Sequence, residues 1–172
     1  AVSPLCLGTM MFGHRTEEAE AARIVDAARE AGVNFVDTAD SYANGDSERM
    51  LGRLIARDRD DWVLATKVGN PMGPGPNDRG AGRKRLLRAI DQSLARLGTD
   101  YVDVYYLHRD FEDIPLEETV AAMGDIVAAG KARFFGVSNF LGWRIAEVVR
   151  VCDALGASFA DLRAELLLLW DQ

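Results

Sequence analysis

Residues 102–137 read VDVYYLHRDFEDIPLEETVAAMGDIVAAGKARFFGV. An apolar run, Val102 to Leu107, gives way to a segment of helical spacing from Leu116 to Ala129, stopped by Gly130, and then to a second apolar run, Phe134 to Val137. Two short strand-type runs joined by a helix imply parallel pairing with a right-handed crossover. The unit recurs on both sides. Upstream lie a strand from Ser3 to Thr9, a helix from Thr16 to Ala31, a strand from Val33 to Val36, a helix from Ser47 to Arg57 and a strand from Trp62 to Thr66. A long loop, Gly69 to Gly82, then leads to a helix from Arg83 to Leu97 closed by Gly98. Downstream come a helix from Trp143 to Leu155, stopped by Gly156, and a sixth strand-type segment, Leu162 to Trp170. Thr16 is the expected N-cap of its helix, with Glu17 and Glu18 in the positively polarised first turn. This alternation is α/β and leaves two architectures, an open doubly wound sheet or a (β/α) barrel. Both place function at the carboxyl ends of the strands.

Composition narrows the function. The chain has 172 residues, with 27 acidic and 20 basic side chains and a net charge of −7, which argues against nucleic-acid binding. Its 48% hydrophobic content suits one folded domain over residues 1–172. No apolar run reaches the roughly 18 residues of a membrane span, and Ala1 to Met11 lacks the pattern of a signal peptide. Cys6 and Cys152 sit among apolar neighbours and are expected as buried thiols in a reducing cytoplasm. The acidic residues and histidines show no metal-ligand spacing, so no metal is expected.

The strand ends carry the chemistry. After the second strand stand Asp37-Thr38-Ala39-Asp40-Ser41-Tyr42, after the third Lys67, after the fourth His108-Arg109-Asp110, and after the fifth Ser138-Asn139. Singly, each has an ordinary reading: a capping Asp, a packed Tyr, a solvated Lys, a structural His, and Ser138-Asn139 as N-cap of the next helix. Together they converge on one rim and suit carbonyl reduction. Hydride arriving at a carbonyl carbon builds negative charge on oxygen, so the site needs a proton donor there. Tyr42 can serve if a neighbouring ammonium, Lys67, favours its phenolate, and Asp37 can keep Lys67 charged. His108 can orient the same oxygen, and a Ser with an Asn matches the amide of a nicotinamide ring. Met10, Met11, Phe12 and His14, with Phe111 and Trp143, are candidates for the pocket wall. The Gly69 to Gly82 stretch is expected to be a mobile loop over the mouth, and Arg83, Lys84, Arg85 and Arg88 a solvated helix face.

In this set the chain resembles the aldo-keto reductases. The resemblance is carried by LGTMMFG at 7–13, DTADSYANGDSE at 37–48, ATK at 65–67, RLGTDYVD at 96–103, Leu107-His108 and GVSNF at 136–140. It implies a (β/α)8 barrel of the TIM type, shortened at both ends, with about six of eight parallel strands present. It further implies NADP(H) as cofactor, an aldehyde or ketone as substrate, and a catalytic set of Asp37, Tyr42, Lys67 and His108 with Tyr42 as general acid. Cofactor contacts are implied for Gly8, Thr9, Met10, Asp37, Ser138 and Asn139. At the sixth strand Arg163 stands where the family pattern has a Gln on the nicotinamide amide, so that role is not carried to it. Open sheet edges lead to an expectation of association, as a homo-oligomer or with a partner chain. A catalytically silent interaction subunit is the alternative function.

Overall fold

The computed structural model describes residues 1–155. Five strands alternate with five helices: β1 (Cys6–Gly8), α1 (Glu18–Glu30), β2 (Phe35–Asp37), α2 (Asp46–Ile55), β3 (Val63–Val68), α3 (Arg83–Leu97), β4 (Val102–Leu107), α4 (Leu116–Ala128), β5 (Ala132–Val137) and α5 (Gly142–Ala154). All neighbouring strands pair in parallel, in the order β1-β2-β3-β4-β5. That order decides between the two architectures. A doubly wound sheet reverses its strand order at a switch point, whereas a barrel adds each strand beside the last. The described residues therefore form five consecutive β/α units of a (β/α)8 barrel. The sixth strand expected at Leu162 to Trp170 lies outside the described residues.

Strand alternation sorts side chains into two layers. Outward-pointing Val36, Leu64, Val68, Tyr105, Leu107, Phe135 and Val137 pack under the helices in one continuous core. The helices meet them along one stripe each, as in α3, where Leu86, Ala89, Ile90 and Leu97 are buried at three- and four-residue spacing. Each fully buried Leu or Ile there contributes roughly 1.5–3 kcal/mol. Inward-pointing Phe35, Ala65, Val104 and Tyr106 form a second, smaller cluster on the concave side. Gly136 pairs with Tyr106 across β4 and β5, and a Cβ there would lie 2.4 Å from the Tyr106 ring. Absence of a side chain at Gly136 is what lets the ring lie flat on β5.

Some boundaries differ from the sequence expectation, with identifiable causes. Thr16 does not cap α1: its amide donates to Met11 O and its carbonyl accepts from Gly13, so a tight turn engages it, and Glu17 takes the N-cap position without a side-chain bond. Ser138 and Asn139 do not cap α5, whose N-cap is Leu141. Cys6 is exposed on β1, while Cys152 is buried, and among the described residues both are free thiols. Phe12 is 3% exposed within the helix-side core and so does not line a pocket. Among the described residues, no helix is long and apolar enough to cross a membrane.

Candidate active site

The site is built by carrying the inward alternation one step past the apolar cluster. Asp37 follows Phe35 on β2, Lys67 follows Ala65 on β3, and His108 follows Tyr106 at the end of β4. In the register, Asp37 lies level with Ala65, and Lys67 with Tyr106, so the three groups climb the rim strand by strand. Such stagger is the shear of a tilted barrel. The parallel ladder continues past the strand ends and fixes each backbone. Thr9 N donates to Asp37 O (3.0 Å), Asp40 N to Lys67 O (3.0 Å), His108 N to Val68 O (2.9 Å) and Ser138 N to Leu107 O (2.9 Å).

Lys67 is the hub. Its Nζ donates to Asp37 Oδ2, to Tyr42 Oη at 2.9 Å and to Thr38 O at 3.2 Å. The side chain is 1% exposed, so an uncompensated ammonium there would be very costly. Burial pushes the ammonium down, but the charge of Asp37 and the oxygen of Tyr42 outweigh it and hold Lys67 above the ordinary lysine value. Tyr42 is half-buried at the start of a short 3-10 turn, Tyr42–Gly45. His108 meets its ring edge-on, with centroids 5.7 Å apart and planes at 82°. Asp37, Tyr42, Lys67 and His108 are thus brought together as the sequence suggested.

On β5 the expected pair is also at the rim. Ser138 is buried and Asn139 exposed, at φ 58, a left-handed conformation that Asn tolerates. Asn139 Nδ2 donates to His108 O at 2.9 Å and to Ser138 Oγ at 3.0 Å, which ties the β5 end to the β4 end. On the β1 side, Gly8 and Met10 are exposed. Thr9 is fully buried: its hydroxyl donates to Asp37 O (3.0 Å) and lies 3.0 Å from Ser47 Oγ, which also approaches Thr38 Oγ1 and donates to Thr9 O at 2.8 Å. This hydroxyl cluster grips the main chain that presents Asp37.

Two buried ion pairs behind the rim escaped the sequence reading. Arg85 Nη2 donates to Asp40 Oδ2 at 2.6 Å, and Arg96 Nε to Glu48 Oε2 at 2.5 Å, while Thr66 Oγ1 donates to Glu48 Oε1 at 2.6 Å. Arg85 was expected on a solvated face but is 3% exposed. The signal lay in its spacing, since it stands four residues before Ala89 on the apolar stripe of α3. Asp40 is raised to about 7, first by burial and then by Glu48, against the lowering pull of Arg85 and Arg96. The loop between Gly69 and Gly82 carries its own hydrogen bonds and is joined to α3 through Arg88. Gly80 N donates to Gly69 O (2.8 Å), Gly75 N to Asp78 Oδ2 (2.9 Å), and Arg88 to Asp78 Oδ1 (2.6 Å) and Asn77 O (2.5 Å). Phe111 is half-buried against Gly69, whereas Met10, Met11 and Trp143 are 53%, 38% and 59% exposed.

A family model described as "Aldo/keto reductase family" matches residues 4–169. The chain belongs to the aldo/keto reductase family. Among its relatives, a probable voltage-gated potassium channel subunit beta of Arabidopsis thaliana is 40% identical over 158 residues, covering 90% of this chain and 48% of that protein. The L-glyceraldehyde 3-phosphate reductase of Escherichia coli K12 is 38% identical over 146 residues, 81% of this chain and 42% of that protein. A norsolorinic acid reductase of Aspergillus flavus is 38% identical over 159 residues, 84% of this chain and 41% of that protein. This aldo/keto reductase chain therefore spans under half the length of these curated relatives.

Proposed function

We propose that the protein reduces an aldehyde or ketone to an alcohol with NADPH, with Tyr42 as the general acid. The observation that carries this reading is the placement of Lys67 Nζ between Asp37 and Tyr42 Oη, with His108 edge-on to the same ring. When bound, NADPH supplies the hydride. The substrate oxygen then gains charge, and Tyr42 Oη, at the mouth of the rim, gives it a proton. Loss of that proton leaves a phenolate, which the Lys67 ammonium at 2.9 Å stabilises. Asp37 keeps Lys67 charged, and His108 orients the substrate oxygen opposite Tyr42.

The cofactor amide fits the β5 end. A nicotinamide carboxamide offers one acceptor and two donors. Asn139 directs its Nδ2 hydrogens to His108 O and Ser138 Oγ, which leaves Oδ1 to accept, and Ser138 keeps its own hydrogen to donate. Gly8 and Met10, both exposed, form the opposite wall beside Asp37, and Thr9, fully buried with its hydroxyl, amide and carbonyl all engaged, supports that wall from behind.

The test is direct: titrate NADPH while following tryptophan fluorescence, then record NADPH consumption with 4-nitrobenzaldehyde. Quenching with turnover is expected, and absence of both in a folded sample overturns the reading. A second reading is favoured by the 40% likeness to a probable potassium channel beta subunit. On it, the reductase-like fold serves assembly with a partner polypeptide, and NADPH binding without turnover is the outcome that selects it.

A further inference from the structure

Tyr42 opens a segment whose backbone is partly left-handed. Ala43 follows it at φ 48, in the left-handed region that Ala seldom occupies, and Asn44 at φ 54 and Gly45 at φ 90 continue it with residues that tolerate that conformation. Local bonds run from Tyr42 N to Ala39 O at 3.2 Å, from Asn44 N to Ser41 O at 3.3 Å, and from Asp46 N to Ala43 O and Tyr42 O. Contacts from outside the segment add to these bonds in holding the phenol on Lys67.

Helix α3 does so at both ends. Before Tyr42, Asp40 is held twice, by its amide to Lys67 O at 3.0 Å and by its carboxylate to Arg85 at 2.6 Å. After Tyr42, the Arg96 side chain lies across Gly45, so close that a Cβ there would be 2.7 Å from Arg96 Cδ. Arg96 has a second task, since it is paired with Glu48. Arg85 has no further carboxylate among the described residues. Its Nε and the Asp40 Oδ1 make no hydrogen bond among the described residues, so a single contact joins the two almost fully desolvated side chains. An apolar pair would pack in the same place without that desolvation cost. Retaining the pair makes sense if what it supplies is the location of the turn.

We propose that the Asp40–Arg85 pair is a positioning device for Tyr42, tying the turn that bears the phenol to the first turns of α3. This rests on the reductase reading for its consequence in rate, but its geometry does not depend on that reading. Asp40 and Arg85 touch neither substrate nor cofactor. They act through the backbone between Thr38 and Tyr42.

The experiment compares the wild-type chain with Asp40→Asn and Arg85→Met, each carrying ring-labelled tyrosine, by NMR of the Tyr42 Cζ resonance and by steady-state reduction of 4-nitrobenzaldehyde. Arg85→Met keeps the test alive if Asp40→Asn does not fold, because a lone Asp40 with its raised proton affinity becomes neutral readily. Displacement of the Tyr42 resonance is expected, with kcat lowered about tenfold or more and KM within about twofold. Arg53→Met, which breaks an exposed pair with Glu18 on the outer surface, is expected to change neither. An unmoved Tyr42 resonance in the variants that fold, or a kcat within about twofold of wild type, overturns the proposal. If the wild-type chain turns over no carbonyl, the resonance alone decides: displacement upholds the positioning and sinks only the reductase reading.

Discussion

Lys67 Nζ stands 2.9 Å from Tyr42 Oη while also donating to Asp37, so one buried cation joins the ends of two strands and the turn between β2 and α2. Proton chemistry and rim stability are therefore coupled through a single side chain. Tyr42→Phe and Lys67→Met separate the two.

Tyr42→Phe removes only the hydroxyl. The expected result is a fall in kcat of about 10²-fold or more, with NADPH affinity within about twofold of wild type. Steady-state kinetics with 4-nitrobenzaldehyde and a fluorescence titration of NADPH measure both. A rate equal to wild type would exclude Tyr42 as the acid.

Lys67→Met leaves the Asp37 carboxylate, 8% exposed, without its cation. Breaking a buried pair by removing one partner costs about 3–5 kcal/mol, whereas neutralising both is far milder. Urea unfolding should show that loss for Lys67→Met and recovery of most of it in Asp37→Asn/Lys67→Met. Equal stability of the single and double variants would count against the pair as the cause.

Asp40 gives a pH signature of opposite sign to the usual carboxylate. Its folded value is raised to about 7 from an ordinary 3.8, so between those values the native state holds a proton that the unfolded chain has released. Its contribution is fully present below the unfolded value and is lost as pH rises through about 7. Wild type should therefore lose stability relative to Asp40→Asn between pH 4 and 7, measured as the difference of the two unfolding free energies across that window. A flat difference refutes the assignment.

Gly136→Ala places a methyl 2.4 Å from the Tyr106 ring, which is fully buried. Overpacking of this kind costs about 1–3 kcal/mol. Thermal melting should fall in Gly136→Ala and recover in Gly136→Ala/Tyr106→Val, where the ring is gone. No recovery would mean that the backbone of β5, not the ring, is the constraint.

Legibility of the fold and site followed the physics of each residue. Alternation and strand-end position were enough to put Asp37, Lys67 and His108 on one rim, because in a parallel sheet the side chains just past the apolar run emerge together. Tyr42 was legible as the last residue of the Asp37–Tyr42 stretch after the second strand, and its role came from the resemblance rather than from periodicity. Asp40, Glu48, Arg85 and Arg96 were passed over because a charge on a helix or turn reads as solvated, and only the partner, 45 residues away in the case of Asp40 and Arg85, reveals otherwise. Thr16 failed as a cap for a similar reason, since a nearby turn claims its backbone.

The alternation that buries Leu64 and Val68 under the helices is the same one that points Lys67 inward. A slip of β3 by one residue would drive an ammonium into the apolar layer and turn Leu64 and Val68 toward the concave side. Misassembly at this strand thus carries its own penalty, and a chain that has folded at all has, by the same stroke, its cation aimed at Tyr42.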